Sequence, residues 1–137
     1  MPARRINLTV EEFTTPHPVT AGEDSGVEEM ELLMREHGIR HLPIVRDGQV
    51  VGVVSQRDLA VVKGLDLDKQ LQVRAGDLMS PDPVTVSTND TLDQVAYRMS
   101  NLKIGSVIVL DEGGGLYGIF TATDALNALI EVVRDIE

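Results

Sequence analysis

The chain has 137 residues, 12 Lys+Arg against 22 Asp+Glu, a formal net charge of −10, and neither Cys nor Trp. That charge speaks against non-specific nucleic-acid binding, which needs a positive footprint, and against docking on anionic membranes. Without Cys there is no disulfide framework, thiolate nucleophile or Cys-based zinc site, while 42 % hydrophobic residues suit a folded globular chain.

The start, Met1-Pro2-Ala3-Arg4-Arg5, is basic but runs into Ile6-Asn7-Leu8-Thr9. It lacks an apolar h-region, so no signal peptide is expected. No apolar run reaches the length of a membrane span, and the cytoplasm is the expected location. Thr9-Val10-Glu11-Glu12 has the form of a capping box for a short opening helix. Pro16 and Pro18 then force an extended stretch, with Val19-Thr20 as a short β segment. Val27, Met30, Leu33 and Met34 mark one apolar face of a helix that Gly38 ends as a C-cap. Leu42-Pro43-Ile44-Val45 leads to Asp47-Gly48, a type I′ hairpin signal, and returns as Val50-Val51-Gly52-Val53-Val54. A helix starts at Ser55-Gln56-Arg57-Asp58 and stops at Gly64, and Leu65 to Arg74 reads as a polar linker.

The same string then recurs. At a spacing of 65 residues Pro16, Pro18, Val19, Thr20, Met34, Ile39 and Gly48 fall on Pro81, Pro83, Val84, Thr85, Met99, Ile104 and Gly113. One extra residue in Gly113-Gly114-Gly115 moves the spacing to 66, and Gly52, Ser55 and Asp58 fall on Gly118, Thr121 and Asp124. The matches keep their order and fall in turns and caps, which is the mark of a duplication. The second copy reads as Val84-Thr85-Val86, a helix with Leu92, Val95, Ala96 and Met99 on one face, and Val107-Ile108-Val109-Leu110. Leu116-Tyr117-Gly118-Ile119-Phe120 follows, and a last helix presents Leu126, Leu129, Ile130 and Val133 at helical spacing. The apolar strands lack clean alternation, so both faces of each sheet are expected to be covered. Neither copy can bury its sheet and helices alone, so the two are expected to pack together.

The order β-α-β-β-α, ending each time in strand, Ser/Thr-x-x-Asp, helix, resembles the CBS domain (cystathionine-β-synthase domain), and two in tandem resemble a Bateman module. The resemblance is carried by Ile39-Arg40-His41-Leu42-Pro43-Ile44-Val45 with Val51-Gly52-Val53-Val54-Ser55-Gln56-Arg57-Asp58. In the second copy it is carried by Asp77-Leu78-Met79-Ser80-Pro81, Ile104-Gly105-Ser106-Val107 and Gly118-Ile119-Phe120-Thr121-Ala122-Thr123-Asp124. It implies an α/β (α+β) fold of two β-α-β-β-α repeats packed as a pseudo-twofold pair with ligand clefts between them. The repeats would span 8–64 and 73–134, with a linker at 65–72. It also implies a ligand class, the adenosine compounds AMP, ADP or ATP, less readily S-adenosylmethionine or NAD. Mg²⁺ could accompany a nucleotide. The module would catalyse nothing itself and would signal occupancy to a separate effector protein.

The resemblance assigns Asp124 and Asp58 to ribose hydroxyls, which a carboxylate can accept. Ser/Thr-x-x-Asp before a helix is equally an N-capping pattern, and the two roles are compatible. The hydroxyls of Thr121 and Ser55 either reach the ligand or simply cap. Arg40 and His41 precede the first inner strand, where the resemblance places phosphate contacts; otherwise they are exposed charge paired with a nearby acid. The second copy has Gly105-Ser106 there, which permits close approach but supplies no charge, so Lys103 or Arg40 would supply it. Arg57 either adds charge or fills its cleft with a salt bridge. With only two Phe and two Tyr, base stacking is not expected. Backbone and aliphatic walls at Val19, Thr20, Leu42, Pro43, Thr85, Ile104 and Val107 are the candidates for adenine, although most would be core with or without a ligand.

His37 and His41 are four apart, but Gly38 and Pro43 break the helix that would align them as metal ligands, so no metal site is expected. No nucleophile elbow or Walker loop appears. Apolar helix faces that so short a chain does not fully hide point to a homodimer. The rival to a nucleotide sensor is an interaction or scaffold module of the same fold that binds no ligand. The acidic balance favours the rival mildly, since it repels a polyanion at long range.

Overall fold

The computed structural model describes residues 7–135; the basic start, Met1–Arg5, lies outside them. In chain order the described residues form a 3₁₀ turn (Val10–Phe13), β1 (Thr15–Pro16), β2 (Ala21–Gly22), α1 (Val27–His37), β3 (His41–Arg46), β4 (Gln49–Ser55) and α2 (Gln56–Val62). There follow α3 (Leu67–Gln72), α4 (Ala75–Leu78), β5 (Ser80–Pro81), β6 (Thr85–Ser87), α5 (Leu92–Leu102), β7 (Ser106–Leu110), β8 (Leu116–Thr121) and α6 (Ala122–Asp135). The architecture is mixed α/β, and β-α-β-β-α is built twice.

Local chemistry accounts for most boundaries. Val27, Met30 and Met34 line the buried side of α1, and Gly38 closes it at φ 62°. Asp47 and Gly48 both take positive φ, as the tight turn between β3 and β4 demands. The opening segment is a 3₁₀ turn, with the Glu12 carboxylate accepting from Thr9 N at 2.9 Å. Two departures from the sequence reading stand out, with one cap on which it was silent. The short strand expected at Val19-Thr20 is β2, Ala21–Gly22, so Val19 and Thr20 lead into it and do not form it. The 65–72 linker carries α3, capped by Asp66, whose side chain accepts from Lys69 N at 3.0 Å. The second copy has no glycine to end α5; Lys103 itself takes the left-handed cap at φ 57°.

The chain forms two compact units. One is continuous, Pro18–Pro83, with sheet order β2-β3-β4-β5. Its helix-side core holds Met30, Met34, Leu42, Ile44, Val54, Leu59 and Val62. The other joins the segment up to His17 with the chain from Val84 onward, in sheet order β1-β8-β7-β6. Its core holds Val10, Val95, Met99, Val107, Val109 and Phe120. In both sheets consecutive strand residues are buried, Leu42-Pro43-Ile44 in one and Val107-Ile108-Val109 in the other. Both faces are therefore covered, as the missing alternation implied.

Units and repeats do not coincide, because each repeat's opening segment packs into the unit built from the other repeat. Val10 N donates to Asp90 O at 2.8 Å, and its counterpart Ala75 N donates to Ser25 O at 2.8 Å. β1 then adds antiparallel to β8, and β5 to β4. The crossings are tight. A Cβ on Gly118 would collide with the Thr15 carbonyl, and one on the equivalent Gly52 with the Met79 side chain.

Candidate functional site

Each unit carries one corner of the same design. In the Pro18–Pro83 unit, β4 runs antiparallel to β3 so that Ser55 lies opposite His41, and α2 begins at once. Gln56 N donates to the Arg40 carbonyl at 2.8 Å, tying the residue before β3 to the first turn of α2. In the other unit Thr121 lies opposite Ser106, and Ala122 N donates to the Gly105 carbonyl at 3.0 Å. A helix N-terminus, an Asp and the lead-in to an inner strand thus meet twice.

The two Asp carboxylates are helix caps. Asp58 Oδ2 accepts from Ser55 N at 2.8 Å, while Asp58 N donates to Ser55 Oγ at 3.1 Å. Asp124 Oδ2 accepts from Thr121 N at 2.9 Å and from Thr121 Oγ1 at 3.1 Å, and Asp124 N donates to Thr121 Oγ1 at 3.3 Å. Both caps use Oδ2 and leave Oδ1 out. Both carboxylates are half-buried. The arrangement leaves Oδ1 of each carboxylate as an acceptor outside the cap.

The remaining sequence candidates divide by burial. Leu42 and Val107 belong to the helix-side cores, so their side chains are spent there and only their backbone is left to offer. Pro43 is fully buried, and Ile104 packs half-buried on its core. Val19 and Thr20 are half-buried and lead into β2, which pairs in parallel with β3; Thr85 starts β6 opposite Ile108. His41 and Ser106 are half-buried, and Gly105 is exposed. Arg40 and Arg57 are exposed in the Pro18–Pro83 unit, and Lys103 is exposed in the other.

Two features escaped the sequence reading. A groove of about 630 Å³ opens between α1 and α2, lined by apolar Met34, Ile39, Leu59 and Ala60 and by the cations Arg35, Arg40 and Lys63. Lys63 Nζ pairs with Glu31 Oε2 across it at 3.3 Å. Arg98 Nη1 donates to the Thr85 carbonyl at 3.3 Å. No spacing in the sequence announces either, since both depend on how elements fold back. Among the described residues no three His, Asp or Glu side chains stand together as a metal site, and no helix is long and apolar enough to cross a membrane.

Comparison with known proteins bears on this design. The CBS-domain family model matches residues 10–63 and 75–131. A curated relative, inosine-5′-monophosphate dehydrogenase of Korarchaeum cryptofilum, is 35 % identical over 114 residues, covering 83 % of this chain and 23 % of its own. The chain spans between 22 % and 47 % of the length of the first three curated relatives it matches. Among solved structures, Arabidopsis thaliana CBSX2 in complex with AMP is 29 % identical, with TM-score 0.78 over 93 % of this chain and 99 % of that one. The CBS domain pair of protein MJ0100, in complex with 5′-methylthioadenosine and S-adenosyl-L-methionine, is 26 % identical, with TM-score 0.80 over 90 % of this chain and 97 % of that one. With the family matched in both halves and β-α-β-β-α built twice, the chain belongs to the CBS-domain family, as a tandem CBS pair.

Proposed function

We propose that this chain is a regulatory CBS pair that binds an adenosine-containing ligand of the AMP, ADP or ATP class. It acts without catalysing a reaction, and its partners are the nucleotide, a second copy of the chain and a separate effector protein. The carrying observation is the duplicated carboxylate, Asp58 and Asp124, each fixed through Oδ2 with Oδ1 outside the cap. An acceptor so placed suits the vicinal hydroxyls of a ribose. Exposed Arg40, Arg57 and Lys103 supply positive charge for a phosphate on an otherwise acidic chain. The reading is supported by the adenosine ligands of CBSX2 and MJ0100.

One observation favours the rival, a scaffold that binds nothing: both carboxylates already have structural work as caps. A thermal-shift panel decides between them. AMP, ADP, ATP, S-adenosylmethionine, 5′-methylthioadenosine and NAD are added, each with and without Mg²⁺. A true ligand at 100 times its dissociation constant stabilises by roughly 2.7 kcal/mol. Absence of any shift at millimolar concentration overturns the nucleotide reading and leaves the scaffold.

A further inference from the structure

We propose that the groove between α1 and α2 binds a small amphipathic carboxylate: a free aliphatic acid with its head on Arg35 and Arg40 and its hydrocarbon body along the apolar lining. This ligand is separate from the nucleotide, and the proposal does not depend on the nucleotide reading. The groove measures about 630 Å³, a size common among small-molecule sites. Its lining lies wholly within the Pro18–Pro83 unit. Met34, Ile39, Leu59 and Ala60 give it surface on which hydrocarbon leaves water. Gly38 ends α1 there at φ 62°, and nothing lies within 4 Å of the place a Cβ would take, so the space beside the cap is open.

Charge selects an anion. The lining holds three cations, Arg35, Arg40 and Lys63, and one acid, Glu31, on a chain whose net charge is −10. Lys63 Nζ pairs with Glu31 Oε2 at 3.3 Å, which leaves the two arginines as the uncompensated charge. Both are exposed, and among the described residues neither forms an ion pair. A guanidinium offers a fork of N–H donors that a carboxylate fills with two parallel bonds. Apolar lining beside it favours an anion that carries hydrocarbon over a fully hydrated one. The duplicated half shows that the fold does not require this charge. The equivalent positions there carry Ala96, Ser100 and Gly105 in place of Glu31, Arg35 and Arg40, and Leu129 in place of Lys63. Lys103, in place of Gly38, is the one cation gained. The second copy builds the same β-α-β-β-α without either arginine, so the gathered charge belongs to this groove and not to the fold.

The test is titration calorimetry of the full chain with the sodium salts of butanoate, hexanoate and octanoate. Octylamine and octanol serve as cationic and neutral controls of the same chain length. Octanoate is expected to bind at a single site, with affinity rising roughly threefold for each added methylene that enters the groove. Octylamine and octanol are expected to give no saturable heat. Arg35→Ser, which copies the second half at an exposed position, raises the octanoate dissociation constant about tenfold, and Arg35→Lys raises it less. Arg40 is shared with the nucleotide reading, so Arg35 separates the two sites: Arg35→Ser leaves AMP binding unchanged, and Asp124→Ala leaves octanoate binding unchanged. A chain that binds octanoate but not AMP keeps this proposal and loses the nucleotide reading. Octanoate without saturable heat at millimolar concentration overturns the proposal, as does octylamine binding equally well, or an affinity that Arg35→Ser and Arg40→Gln both leave unchanged. Sedimentation equilibrium on the same samples addresses the other occupant: a dimer that Arg35→Ser dissociates would put a second copy in the groove and overturn the proposal too.

Discussion

The two halves fill the same core with opposite choices. In the Pro18–Pro83 unit the strand supplies a small residue and the helix large ones: Val54 on β4 packs with Leu59 and Val62 on α2. In the other unit the strand supplies the large residue: Phe120 on β8, fully buried, is met by Ala125 on α6, and Ala128 takes the place of Val62. Volume moves from helix to strand and the packed space stays filled, which is the condition close packing imposes. The consequence reaches the surface. Once small residues suffice on the inner side of α6, its large apolar residues are free to face outward, and they do. Duplicated backbones share a volume requirement and not a residue requirement.

Breaking that trade gives the largest effect. Phe120→Ala should cost about 3–5 kcal/mol, measured by denaturant unfolding. Phe120→Val combined with Ala125→Leu, which copies the other half's solution, should cost less than Phe120→Val alone; a double variant no better than the single would show that the halves are not exchangeable in this way. The crossing glycines come next. Gly118→Ala drives a methyl into the Thr15 backbone and should cost roughly 1–3 kcal/mol. Gly52→Ala meets only the flexible Met79 side chain and should cost less, so equal losses would contradict the comparison.

The caps sharpen it further. Asp124→Ala and Asp58→Ala should each lower stability by about 1 kcal/mol as lost caps. Calorimetry with AMP separates the two roles of each acid. A site Asp should weaken binding by a further roughly 1–3 kcal/mol, whereas unchanged affinity in both variants reduces the acids to caps. The smallest effect lies at the ends of α1 and α5. Lys103→Gly should stabilise by about 1 kcal/mol, because a side chain in the left-handed region is strained; Gly38→Ala should destabilise by a similar amount. Thermal unfolding reads both.

The sequence carried the repeat, the helix faces and the hairpin turn openly, because each depends on residues close together. Gly38, Asp47-Gly48 and the Ser/Thr-x-x-Asp boxes act within a few residues of themselves, and all fold as their local chemistry dictates. Long-range placement was not legible. Nothing near Thr15 or Ser80 says that these strands pair with strands of the other repeat, since that pairing depends on residues some hundred positions away in one case and fewer than thirty in the other. The candidate site was legible as residue types and partly as roles. The caps at Asp58 and Asp124 could be read from spacing, whereas the loss of Leu42 and Val107 to the cores could not, because strand alternation shows which residues share a face and not which face is occupied.

The exchange of opening segments also orders events during synthesis. The Pro18–Pro83 unit is continuous, so its sheet can be completed as soon as Pro83 is available. The other unit needs chain from both before Pro18 and after Pro83. Its edge strand, Thr15–Pro16, precedes that continuous unit in the chain, yet it waits for Gly118 and Ile119. Until then Thr15–Pro16 is a strand without its partner. The slow, long-range step, and the interval most open to misassembly, therefore belong to the segment that precedes Pro18.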